Sequence, residues 1–290
     1  MPSVRKVLIA LFVALPLFAS CGKIDNGGGK SSEWKLKPMP AGQLKLMSFN
    51  IRGITNEDDI RNNWSMRAGA CRMMVEDQQP SVIGLQEQNE TQWTYMYSTL
   101  SPKGYEGLAT TDVKAAFLYR TDQLEVEDNG LFWQSKTPDR SSECWDGFVR
   151  PVRWAVMHIL GTDHRFFYVT THVGLTGESQ SNGMKLIAKR IQAYNTHNYP
   201  VVLMADFNVV ATSSYFNEIR ETMALTREVA PITDQIPTYN AWGNVDKEVI
   251  IDHIWISKTL NCTEYRTVTN AYDGHKLISD HYPVYAILQF

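Results

Sequence analysis

The segment Val201–Asn208, VVLMADFN, decides the fold class. Five residues without a polar side chain run from Val201 to Ala205, with Pro200 just ahead and Asp206 and Asn208 just behind. A run this short, bounded by turn formers, reads as a buried strand. Asp206 and Asn208 lie two apart at its exit and project to the same side, although both residue types also favour a turn.

Similar runs recur outward from this point: Leu44 to Phe49, Val82 to Leu85, Ala115 to Tyr119, Val152 to Leu160, Phe166 to Thr171, Val249 to Ser257 and Val284 to Phe290. Helical spacing is rarer. Trp64, Ala68, Cys71 and Val75 follow a cap at Asn62 or Asn63, and Met184, Ile187, Ile191 and Tyr194 precede Pro200. Tyr215, Phe216, Ile219 and Met223 suggest a shorter third helix. Many strands with few amphipathic helices predict a β-sandwich with helices on its outer faces. Asn50, Glu87, His172, Asp206 and Asn208 each stand one to three residues past a strand run, and Asp280 and His281 stand just ahead of the last one. If those ends gather at one edge, seven polar groups meet in a single cleft.

The chain has 290 residues, 43% of them hydrophobic and 20% charged, enough for a substantial core. No repeat or second linker follows Trp34, so residues 44–290 read as one domain. The N-terminus differs. Arg5 and Lys6 precede the apolar run VLIALFVALPLFA, too short for a stable membrane-spanning helix and interrupted by Pro16. Residues 1–20 therefore read as a signal peptide, and Phe18-Ala19-Ser20-Cys21 resembles the lipobox of bacterial lipoproteins. Cys21 is then the lipidated residue that holds the protein to a membrane of the cell envelope, outer membrane or periplasmic side. Residues 21–43 read as a flexible tether, because GKIDNGGGKSS has nothing to bury. Cys71, Cys144 and Cys262 remain, an odd number whose spacing argues against a disulfide framework or zinc cluster. A monomer is expected. The net charge of -3 gives no broad basic surface for nucleic acid, though nucleic acid stays open as a substrate.

Hard oxygen ligands suit Mg²⁺, with Mn²⁺ as a substitute, and Glu87 in SVIGLQEQ leads as a metal ligand. Asp206 could take a proton from an attacking water while Asn208 donates to phosphoryl oxygens. The Ser279-Asp280-His281 run is no serine triad, because successive residues on an extended chain face opposite ways. His281 serves better as a phosphate donor or acid, held by Asp252 of VIIDHIWIS. His253 then faces away as a structural residue. His172 belongs either to the cleft or to packing, Arg150 either to a phosphate contact or to a surface salt bridge, and Trp242 either to substrate stacking or to the core.

In this order, MSFNIR, GLQE, THVG, ADFN, IDHIWIS and SDHYPV resemble the endonuclease/exonuclease/phosphatase superfamily of Mg²⁺-dependent phosphoesterases. The resemblance runs from Leu44 to the C-terminus. It implies an α+β four-layer α/β/β/α sandwich, metal on Glu87 with Asn50 and Asp280 nearby, His281 oriented by Asp252, and Asp206 with Asn208 handling the nucleophile. NWSMR at 63–67, GLFWQSKTPD at 130–139, Trp145-Asp146 and Arg150 are similar to the branch holding carbon-catabolite-repressor-type deadenylases, nocturnin and secreted bacterial relatives. Arg52 departs from the DNA-repair branch, which has a second metal-binding Asp there. Ser181 and Asn182 stand where an Arg is usual. The expected function is metal-dependent hydrolysis of a phosphate ester, with a phosphodiester favoured. A sphingomyelinase- or inositol-phosphate-phosphatase-type lipid hydrolase is one alternative, although no aromatic hairpin for membrane insertion is visible. A catalytically silent binding lipoprotein is the other.

Overall fold

The computed structural model describes residues 34–109 and 115–290. The expected signal peptide, Cys21 and most of the tether lie outside the described residues. The tether expectation fails at its far end: Lys37 N–H donates to Gln79 at 2.7 Å and its carbonyl accepts from Arg120 at 3.0 Å, so the chain is already tied to the domain there.

One sheet holds β1 (Gln43–Asn50), β2 (Val82–Gln86), β3 (Tyr105–Leu108), β4 (Ala115–Arg120), and the late strands β11 (Asn261–Thr267) and β12 (Val284–Gln289), in the order β11-β12-β1-β2-β4-β3. The other holds β5 (Leu124–Trp133), β6 (Pro151–Ile159), β7 (Arg165–His172), β8 (Val201–Asp206), β9 (Met223–Leu225) and β10 (Asp252–Ser257), in the order β5-β6-β7-β8-β10-β9. With its helices this is the four-layer α/β/β/α sandwich. The β1–β2 and β7–β8 pairs are parallel, and α1 (Trp64–Gln78) and α3 (Gly177–Tyr194) lie within their connections. The helix α2 (Glu90–Leu100) carries a capping box on Asn89 that the periodicity search passed over. The third expected helix is short, α4 at Asn217–Thr222 behind a 3₁₀ turn.

Side-chain alternation sorts the two faces of each strand. Val202 and Met204 of β8 join Leu46, Val82, Tyr168, Ile254 and Ala286 in the core between the sheets, while Leu203 and Ala205 join Met184, Ile187, Phe216 and Trp255 under the helices. At Gly84 the sheets come so close that a Cβ would lie 2.6 Å from both Thr170 Oγ1 and Tyr168 OH. Cys71, Cys144 and Cys262 are free and buried.

Candidate active site

The period of two continues to the strand ends and loads one edge of the sandwich. On β8 the inward positions 202 and 204 lead to Asp206; on β10 the inward positions 254 and 256 lead back to Asp252. The antiparallel register sets Asp252 directly opposite Asp206, and the parallel register sets His172 beside Asp206. On β1, Leu44 and Leu46 lead to Asn50, which pairs with Gln86 at the end of β2. Four polar residues thus meet between the sheets because each ends a strand in the same parity.

Asp206 is their hub. Its Oδ2 accepts from Asn50 Nδ2 at 2.9 Å and lies 3.3 Å from His172 Nε2 and 3.6 Å from His281 Nε2. Its Oδ1 accepts from the backbone N–H of Asn208 at 2.9 Å, so the turn and the shared side are both real. His281 Nδ1 sits 2.8 Å from Asp252 Oδ2. Burial opposes charge on His281, but Asp252 and Asp206 outweigh it and raise the pKa to about 10. Burial lowers that of His172 despite Asp206 and Glu87.

Glu87 approaches from β2. Burial works against its charge, yet the neighbouring His172, the Gly53 N–H at 2.9 Å, the Asn50 amide at 3.0 Å and His281 bring its pKa down to about 2. Burial pushes Asp280 up, and Glu87 adds to the push; burial pushes Asp206 up, with Asp252 adding. Ionised and half-suppressed carboxylates crowded on one wall match a hard divalent cation, which would relieve that repulsion. Among the described residues, ligand atoms of Glu87, His172 and Asp206 lie within 4.8 Å of one another. Glu87 and Asp280 both line the cleft and would hold the ion.

Three expected site residues hold partners that the sequence did not show. Asn50 is fully buried, its Oδ1 accepts from Arg52 N–H at 3.0 Å, and its amide nitrogen bridges Glu87 and Asp206. Through that nitrogen it clamps the two carboxylates. Asn208 Nδ2 donates to Val173 O at 2.8 Å and lies 2.8 Å from His172 Nε2. Trp242 does not line the cleft: its ring faces the Arg67 guanidinium at 5.7 Å and its indole N–H is buried without a partner. Arg150 lines the cleft and pairs with Asp146 at 2.9 Å, both side chains largely buried. His253 sits with Phe207 and Phe216 under the helices, away from the cleft.

The cleft has a volume of about 1260 Å³. Tyr239, its ring tilted against His281 at 5.0 Å, and Phe148, 57% exposed on a hairpin closed by the Glu143–Val149 bridge, are the aromatics on its wall. Phe148 was not a site candidate, and the exposed hairpin was not visible in the sequence. Arg52, Glu87 and Asn208 all have φ near +60°, at 57°, 64° and 53°, each at a strand exit facing the cleft. Left-handed backbone costs a non-glycine residue about 1 kcal/mol, so three such residues at one edge mark a place where geometry outranks stability.

Arg67 is the residue that sequence reasoning missed most. On α1 it shares the buried face with Trp64 and Cys71 and is 1% exposed. Its guanidinium donates to the carbonyls of Asn62, Ile51, Arg52 and Ile278, tying the exit of β1 to the segment that carries Asp280 and His281. An arginine on the apolar stripe of a helix was the available signal.

Residues 47–281 match the endonuclease/exonuclease/phosphatase family, and the chain belongs to it. The protein is accordingly a phosphoesterase. A family member from Bacteroides vulgatus superposes with a TM-score of 0.77 at 26% identity, over 86% of this chain and 99% of that one. A mannosyl-6-phosphatase from Bacteroides thetaiotaomicron gives 0.76 at 25% identity, over 85% and 100%. The human nocturnin catalytic domain, at 15% identity and 0.64 over 86% and 95%, shares the fold. Among curated proteins, none matches.

Proposed function

We propose that this chain is a Mg²⁺-dependent phosphatase of sugar-phosphate monoesters, held at the cell envelope by a lipid on Cys21. The observation that carries the chemistry is the Asp252–His281–Asp206 line ending at a cleft that also presents Glu87 and Asp280. A divalent cation on Glu87 and Asp280, when bound, supplies positive charge to the phosphoryl oxygens. Everything else falls to the chain. His281, kept cationic by Asp252, points its Nε2 at the phosphate and donates a hydrogen bond to it. Asp206, raised by burial, accepts the proton of the attacking water. Arg150 neutralises the second charge of the monoester, and Asn50 and Asn208 hold Glu87 and His172 in place.

The sugar monoester replaces the phosphodiester as the preferred substrate on one ground. The mannosyl-6-phosphatase resembles this chain at 25% identity, whereas the DNA-complexed TDP2 from D. rerio does so at 13%. The exposed Phe148 hairpin keeps a lipid ester as the second reading. The apolar run after Arg5 and Lys6 and the Ser20-Cys21 junction support the envelope location.

A panel of hexose 6-phosphates, a single-stranded oligonucleotide and a choline-headgroup phospholipid, each with Mg²⁺, tests the assignment. The hexose phosphates should turn over fastest, and Glu87→Ala and chelation by EDTA should each abolish that turnover. Full activity in EDTA would refute the metal chemistry, and faster cleavage of oligonucleotide or lipid would refute the substrate.

A further inference from the structure

Beside the cleft lies a second groove of about 490 Å³ with a different character. Lys136, Lys185, Lys189 and Arg190 line it together with Trp145 and Asn182. Arg190 pairs with Asp139 at 2.7 Å, and among the described residues Lys136, Lys185 and Lys189 form no salt bridge, although Glu218 and Glu221 share an adjoining concavity with Lys185 and Lys189. Lys185 and Lys189 stand one helical turn apart on α3, where like charges repel. A chain with a net charge of -3 concentrates cations here at a cost to its own helix. Trp145, half-buried, leaves part of an indole face at the same groove.

The two concavities share a wall. Trp145 and Phe148 belong to the hairpin closed by the Glu143–Val149 bridge, and Arg150 follows it: Trp145 lines the groove, while Phe148, Val149 and Arg150 line the cleft. The tip, Gly147 at φ 81°, has open space above it.

We infer that this groove is a subsite for an anionic extension of the substrate, a further sugar carrying a second phosphate. The inference rests on the sugar-phosphate reading above. The terminal phosphate occupies the cleft beside Arg150, the chain crosses the hairpin, the next ring stacks on Trp145, and its phosphate is held by Lys136, Lys185 and Lys189. The enzyme therefore prefers a doubly phosphorylated oligosaccharide over a free hexose phosphate.

The test compares hexose 6-phosphate with a disaccharide phosphorylated on both rings, using wild type, Trp145→Ala and Lys185→Glu/Lys189→Glu. These substitutions are exposed or half-buried and touch none of the catalytic groups. KM for the disaccharide should rise at least about tenfold in both variants while kcat and KM for hexose 6-phosphate stay unchanged. An unchanged KM for the disaccharide overturns the subsite. If neither sugar is hydrolysed, the substrate reading has failed, and calorimetric titration with the same disaccharide judges the groove alone. Binding to wild type that both variants lose sustains it; absent or equal binding overturns it. Tighter, variant-sensitive binding of a single-stranded oligonucleotide would reassign the groove and overturn the glycan assignment.

Discussion

His253 and Asp252 are neighbours on β10 that face opposite ways, and the pH dependence of folding reports whether they do. His253 Nε2 lies 3.0 Å from the carbonyl of Val209, while Nδ1 is buried without a partner. Charging the ring places a proton on Nδ1 with nothing to receive it. Burial accordingly lowers the pKa from 6.5 to about 4, with Arg227 adding to the effect. The unfolded chain takes up the proton near pH 6.5 and the folded chain only near 4, so this ring's contribution is intact above 6.5 and is lost as the pH falls toward 4. At about 1.4 kcal/mol for each pH unit between those values, the loss is about 3 kcal/mol. Urea unfolding of wild type and His253→Gln from pH 4 to 8 isolates it, because the other titrating groups cancel in the difference. The stability of wild type relative to the variant should fall by about that amount on acidification. A difference that stays flat with pH would mean that the ring is not buried neutral, and the face assignment of β10 would fall with it.

Asp252→Asn keeps the volume but removes the charge beside His281 Nδ1, and kcat should drop about 100-fold with KM changed only a fewfold; unaltered steady-state kinetics at pH 8 would contradict the assigned pair. Arg67→Met strips donors from four backbone carbonyls and should destabilise the domain by about 3–5 kcal/mol in urea titration, with Arg67→Lys recovering only part because an ammonium lacks the planar fork. Gly84→Ala should lower stability by about 1–3 kcal/mol through its 2.6 Å contacts with Thr170 and Tyr168, and an unshifted melting temperature would show that the sheets stand further apart.

The legible part of the fold was the part written in strong periodicity. VVLMADFN became β8, and the helices through Trp64 and Met184 became α1 and α3, because buried strands and one-sided helices need those patterns wherever they pack. The strands β3, β5, β9 and β11 escaped notice. The burial pattern of β5 alternates poorly, with Glu125, Glu127, Asp128 and Asn129 exposed at a sheet edge, and β11 carries a bulge between Cys262 and Glu264. Val249 was read into a strand that begins only at Asp252.

Residue type and position beside a strand run were enough to nominate Asn50, Glu87, His172, Asp206, Asp280 and His281, with Asp252 as the carboxylate for His281, because where an apolar run ends is a local property of the chain. What each side chain touches is not local. Asn50 spends its amide on Glu87 and Asp206, 37 and 156 residues away, and Arg67 reaches a carbonyl 211 residues distant. Trp242 is diverted to that same guanidinium instead of the substrate. Hydrogen-bond partners are chosen by which segments the two sheets bring within about 3 Å of each other, and that choice exists only once the sandwich has closed.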